Sequence, residues 1–129
     1  MTGRFSASPY AGMMIDTAGA ATASEGAAAI REMGVRFAIV TDGPRGAWVD
    51  HDDFVGHVPA YEVDTVDTTG AGDAFTGGVL TGIINGLGPE EAARLGAATG
   101  ALATTTLDTF AGPDDPATAW EMAGLRMPR

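Results

Sequence analysis

The first clear period in the chain lies in residues 22–33, where Ala23, Ala27 and Ile30 recur at helical spacing. Gly34 follows where a left-handed C-terminal residue is expected. This predicts a helix packed on a sheet. Residues 35–41 then read as a short buried strand, and Asp42-Gly43-Pro44 punctuates a turn. Two further strands are predicted at 47–49 and 54–58, joined by the polar turn Asp50-His51-Asp52-Asp53 and closed by Pro59. A fourth strand is expected at 62–66. The pattern next predicts a helix over 72–85, with Phe75, Val79 and Ile83 on one face and Gly86 and Gly88 as its stop. Pro89, Glu90 and Glu91 suit the first turn of another helix, with Ala92, Leu95, Thr99 and Leu102 as its inner stripe. A loop at 108–115 leads to a last short helix from Pro116, anchored by Trp120. Residues 1–20 show no period that assigns an element, and no internal repeat is present.

Strands alternating with helices indicate an α/β chain. Its 129 residues are 45% hydrophobic and 19% charged, a globular composition that predicts one folded unit over 1–129. Seventeen acidic residues against seven basic ones, all arginine, give a net charge of -10. Such a chain has no basic face for nucleic acid, and its acidity favours solubility. No apolar run approaches the roughly 20 residues of a membrane span, and no leader segment is apparent, so the expected compartment is the cytoplasm. With no cysteine, disulfides, thiolate metal sites and cysteine nucleophiles are excluded. His51 and His57 near Asp50, Asp52 and Asp53 read as a solvated hairpin, and no metal is assigned there. Ser6 and Ser8 lack a glycine-flanked elbow, which argues against a serine hydrolase, and Met13-Met14 reads as packing.

The candidate chemistry lies in Asp67-Thr68-Thr69-Gly70-Ala71-Gly72-Asp73. A strand ending at Asp67 and a helix beginning near Gly72 would leave the intervening backbone N–H groups without internal acceptors, which makes an anion site. Gly70 and Gly72 can adopt positive φ and admit a phosphate close to the backbone, while Ala71 adds little bulk. Asp73 at the rim has two readings. It caps the helix and complements its dipole, or it is a base that takes a hydroxyl proton as that oxygen attacks a γ-phosphorus held beside it. Gly70-x-Gly72-x-x-Phe75 lacks the third small residue of the dinucleotide fingerprint, and a chain without lysine cannot form a Walker loop.

The twelve residues from Asp67 through Ala74-Phe75-Thr76-Gly77-Gly78 resemble the C-terminal signature of the PfkB family, which includes ribokinase, fructokinase, 2-keto-3-deoxygluconate kinase and nucleoside kinases. Upstream, Val40-Thr41-Asp42-Gly43-Pro44-Arg45-Gly46-Ala47 resembles that family's strand-end Thr-x-Gly-x-x-Gly segment beside the nucleotide. The resemblance implies a ribokinase-like three-layer α/β/α sandwich, of which residues 22–129 supply the ATP-binding and phosphoryl-transfer portion. It implies transfer of the ATP γ-phosphate to a hydroxyl of a sugar or related small molecule, with magnesium accompanying ATP. Asp73 becomes the base, the amides of Gly70, Ala71 and Gly72 the anion hole, and Thr41, Gly43 and Gly46 the nucleotide-binding segment. Asp67 and Thr69 match positions that hold a monovalent cation, K+, in potassium-activated members, and equally suit side-chain hydrogen bonds that stabilise the turn. The small residues of 96–103 match a helix lining the family's adenine pocket, and equally suit close helix packing.

Two departures qualify the resemblance. Family members are more than twice this length, and the portion with most sugar-binding residues and the β-sheet lid has no counterpart here. The family's Asn-x-x-Glu motif is also missing, since Asn85 is the sole asparagine and lies downstream of its expected place. A noncatalytic nucleotide-binding remnant or incomplete fragment is therefore one alternative. A pseudouridine-type nucleoside kinase is another, suggested by residues 101–108 followed by Pro113. Oligomeric state is not encoded in any recognisable feature.

Overall fold

Thr22 opens the first helix by accepting the Glu25 amide on its Oγ1 at 3.3 Å, a cap that satisfies one of the free donors of the first turn. The computed structural model describes residues 22–105 and 115–128, which divide after Pro59 into two compact units.

In the first unit, helix α1 (Ala23–Glu32) is followed by strands β1 (Phe37–Thr41), β2 (Ala47–His51) and β3 (Phe54–Val58). The strands form an antiparallel sheet in the order β1-β2-β3, with Ile39 opposite Val49 and Val49 opposite Gly56. Ala27 and Ile30 of α1 pack on Ala38 and Val40 of β1, all fully buried, with Ala23, Val35 and Trp48 at the margin. Ile39, Val49 and Val58 are buried as well, which is why 38–40 reads as an unbroken apolar run and not as an alternation. The hairpin is tighter than the sequence predicts: β2 extends to His51, which pairs with Phe54, and the turn is only Asp52-Asp53. Here the His51 Nδ1 accepts the Asp53 amide at 3.0 Å, so side-chain chemistry closes the short connection. Arg31 ties the end of α1 to this hairpin. It donates to the carbonyls of Val35 (3.2 Å) and Arg36 (2.6 Å), and pairs with Asp50 at 3.2 Å and with Asp52.

The second unit consists of helices α2 (Ala71–Ile84), α3 (Pro89–Ala103) and α4 (Pro116–Met122). The strand expected at 62–66 is not formed. A strand needs a neighbour to take its hydrogen bonds, and the described residues provide none. The amides of Val66 and Asp67 instead converge on the Thr104 carbonyl, at 2.7 and 3.0 Å. On α2, Phe75 and Val79 are buried as expected, but Ile83 is 37% exposed. The inward face is completed by Gly78 and Gly82, which lie so close to α3 that an added Cβ would stand 2.7 Å from the Gly96 Cα and 2.9 Å from the Ala92 Cα. Backbone proximity, and not side-chain bulk, thus sets this helix contact. On α3, Ala92 and Leu95 are buried as expected, whereas Thr99 and Leu102 are half-buried and the interior is largely alanine and glycine. Trp120 anchors α4 as expected, 4% exposed, beside Leu95, Ala98, Ala119 and Ala123. Asp115 caps that helix through the Ala117 amide at 3.0 Å. The predicted loop at 108–115 and residues 1–20 lie outside the described residues, except for Asp115.

Candidate functional site

The turn that leads into α2 is shaped first by Asp67. Its Oδ1 accepts the Thr69 amide at 2.9 Å, an Asx turn that reverses the chain within two residues. The Thr69 amide, and after it the Thr69 hydroxyl, hold the Asp67 carboxyl below the usual carboxylate range by favouring the ionised form. The Ala71 amide then donates to the Thr68 carbonyl at 3.2 Å, closing a second turn across Gly70.

Gly70 occupies the left-handed region, at φ 82° and ψ -2°, and is the N-cap of α2 without a side chain to bond the first-turn amides. Its carbonyl accepts the Ala74 amide at 3.0 Å, so the helix begins immediately. The amides of Gly72 and Asp73 belong to that first turn and have no acceptor within the helix. Gly72 differs from expectation: Gly70 alone in this turn takes positive φ, because α2 starts one residue earlier than predicted and Gly72 is already helical. What Gly72 contributes is space, since an added Cβ there would meet nothing within 4 Å. Asp73 is exposed on the same first turn. The turn therefore offers an anion two backbone donors at the positive end of a 14-residue helix, with a carboxylate beside them.

Thr41, Gly43 and Gly46 lie in the first unit. Thr41 ends β1 opposite Ala47, and a single 3-10 turn (Gly43–Arg45) links the two strands. The loop is closed by the Asp42 amide on the Gly46 carbonyl at 2.7 Å and the Gly46 amide on the Gly43 carbonyl at 3.1 Å. Gly43 and Gly46 both have positive φ, 52° and 99°, so this compact loop depends on them. Arg45 pairs with Asp42 at 3.0 Å, and the His57 Nε2 lies 2.5 Å from the Arg45 carbonyl. His51 stands edge-on to Phe37, with ring centroids 5.5 Å apart. Among the described residues, no group of three or more histidine and acidic side chains is arranged to hold a metal ion. No helix among them is long and apolar enough to cross a membrane.

The small residues of 96–103 make the close helix packing that their sequence suited, with Gly96 and Gly100 against α2, but the support that the last turn of α3 gives to the 67–73 turn was not read from the sequence. An added Cβ at Gly100 would lie 3.1 Å from the Ala71 carbonyl oxygen, and the Thr104 carbonyl receives the amides that enter the turn. The available signal was Gly96 and Gly100, spaced by four in a helix whose propensity glycine lowers.

Residues 11–115 match the model of the pfkB family carbohydrate kinases. Fructokinase-2 of Zea mays is 43% identical over 79 residues, 56% of this chain and 24% of the maize protein. The solved structure described as a ribokinase II from E. coli, in complex with ATP and Mg2+, superposes on 81% of this chain and 34% of its own, at 31% identity and a TM-score of 0.71. The nucleoside kinase of Burkholderia thailandensis, in complex with inosine, matches 71% of this chain and 32% of its own at 33% identity and a TM-score of 0.66. The chain thus spans about a quarter of that curated relative and about a third of these solved structures. The described fold is a part of the ribokinase-like α/β fold, and the chain belongs to the PfkB family of carbohydrate kinases.

Proposed function

We propose that residues 67–73 are the phosphoryl-transfer turn of an ATP-dependent kinase acting on a hydroxyl of a sugar or related small molecule. The observation that carries this reading is the start of α2: a left-handed Gly70 cap, first-turn amides without internal acceptors, and the Asp73 carboxylate on the same turn. Asp73 takes the proton of the attacking hydroxyl as its oxygen bonds the γ-phosphorus and the bond from that phosphorus to the bridging oxygen breaks, releasing ADP. The backbone around Gly70, Ala71 and Gly72 stabilises the charge that accumulates on the transferring group. Of these donors the Ala71 amide is also engaged with Thr68, so Gly72 and its neighbour Asp73 present the freer N–H groups. Thr41, Gly43 and Gly46 border the nucleotide in this reading, which the resemblance of residues 40–47 to the family's Thr-x-Gly-x-x-Gly segment supports. Mg2+ bound with ATP neutralises the β- and γ-phosphates. In the same reading, Asp67 and Thr69 border a K+ ion, and replacing K+ by choline is expected to lower turnover at fixed ionic strength.

A nucleoside substrate is the second reading, favoured by the likeness to a nucleoside kinase solved with inosine. The two are separated by coupled ADP release over a panel of sugars and ribonucleosides, with ATP affinity measured in parallel by calorimetry. Release dependent on a sugar supports the first reading, and release dependent only on a nucleoside supports the second. ATP binding with no dependence on any acceptor would overturn both in favour of a noncatalytic nucleotide-binding protein.

A further inference from the structure

We infer that the C-terminal turn of α3, through Gly100 and the Thr104 carbonyl, is the positioning device of the phosphoryl-transfer turn. The inference rests on the function proposed above and adds to it a positioning role for residues outside the 67–73 turn. Two contacts hold the turn from opposite ends. At its entry, the Val66 and Asp67 amides both donate to the Thr104 carbonyl, at 2.7 and 3.0 Å. Thr104 is itself fixed, 8% exposed and with its Oγ1 donating to the Ala101 carbonyl at 2.6 Å. At its exit, α2 begins against the bare backbone of Gly100, where a methyl group would lie 3.1 Å from the Ala71 oxygen and 3.4 Å from the Phe75 Cβ.

The second contact bears directly on the anion donors. The Ala71 carbonyl and the Gly72 N–H belong to one planar peptide unit, so moving the oxygen turns the N–H with it. A methyl group at Gly100 displaces that oxygen by a few tenths of an ångström, and the Gly72 donor tilts away from its ligand position. Hydrogen bonds to a charged group fall off steeply with misalignment. Gly100 is thus required for aim as well as for packing.

The other end of the same interface supplies the control. An added Cβ at Gly82 would lie 2.9 Å from the Ala92 Cα, a tighter clash than at Gly100 but far from the turn in sequence. Gly100→Ala and Gly82→Ala are to be compared by MgATP and MgADP titration and by the amide spectra of Gly70, Gly72 and Asp73. In the unaltered chain, ATP should bind more tightly than ADP, because the turn receives the γ-phosphate. Gly100→Ala is expected to shift the three amides and to remove that preference, lowering ATP affinity roughly tenfold with ADP affinity retained. Gly82→Ala should lower the melting temperature yet keep both the amide positions and the preference. Unmoved amides in Gly100→Ala, or equal loss of preference in the two variants, would overturn the positioning role while leaving the proposed function intact. Absence of any ATP preference in the unaltered chain would instead overturn the function itself, and this inference with it. Hydrogen exchange needs no substitution: Val66 and Asp67 amides should be protected to the level of α3. Exchange at the rate of a free loop would refute the anchor on Thr104.

Discussion

Gly77 and Gly78 are adjacent in α2, yet replacing each by alanine should change stability in opposite directions. At Gly77, which is exposed, an added Cβ meets nothing within 4 Å. The substitution there acts only through helix propensity, worth about 0.5–1 kcal/mol in favour of alanine. At Gly78 the same methyl group would lie 2.7 Å from the Gly96 Cα, 2.7 Å from the Thr99 Oγ1 and 2.9 Å from the Leu95 carbonyl oxygen. Carbon atoms prefer about 3.5–4.0 Å, and two of these three partners are backbone, so α2 and α3 must separate by close to 1 Å locally. Overpacking costs about 1–3 kcal/mol; three contacts under 3.0 Å put Gly78 in the upper part of that range, about 2–3 kcal/mol, and a propensity gain of about 1 kcal/mol leaves a net loss of about 1–2 kcal/mol. For a unit of this size, 1 kcal/mol moves the melting temperature by about 4–8 °C. Gly77→Ala should therefore raise it by about 2–8 °C and Gly78→Ala should lower it by about 4–16 °C. Trp120, buried within the same unit, reports the transition by fluorescence in a Trp48→Phe background. A rise in both variants would refute backbone proximity as the basis of the α2–α3 contact.

Gly46, at φ 99° and ψ -140°, occupies a region open essentially to glycine, so Gly46→Ala should cost about 1–3 kcal/mol. Unfolding followed through Trp48 measures the loss, and an unchanged midpoint would contradict it. Asp67 has its pKa lowered by folding, so its contribution to stability is complete above the usual carboxylate range. It is lost as pH falls through the lower, folded value. A carbon-13 titration of its carboxyl should show that depressed midpoint. Thr69→Ala, which removes the hydroxyl and keeps the stronger amide donor, should raise it only part of the way; a full return would show that the amide is not the principal cause.

Elements whose signals are local were legible in the sequence: the Thr22-to-Gly34 helix, the β2–β3 pair, and the Pro116 helix with Trp120. The strand expected at 62–66 failed because a strand is a property of a pair, and apolar alternation cannot reveal that the Thr104 carbonyl takes these amides. Ile83 failed for a related reason. Hydrophobicity assigns it to the inner face, but the closest approach of α2 to α3 runs along Gly78 and Gly82, which pushes Ile83 outward. Within the turn, the motif marked Gly70, Gly72 and Asp73 as neighbours. It did not distinguish the glycine that needs positive φ from the one that needs only open space. The small residues of 96–103 suited close helix packing from the sequence, but the backbone that Gly100 meets, the Ala71 carbonyl, is a tertiary contact that residue spacing does not carry.

In the proposed function Asp73 serves as the proton acceptor and not as a helix cap alone. Asp73→Asn keeps the size of the side chain and its ability to accept a hydrogen bond, but removes the base. Acceptor-dependent ADP release and ATP affinity, measured side by side in Asp73→Asn and the unaltered protein, separate the two roles. The predicted result is turnover lower by about 10²–10⁴-fold with ATP affinity retained; undiminished phosphorylation in Asp73→Asn would contradict it.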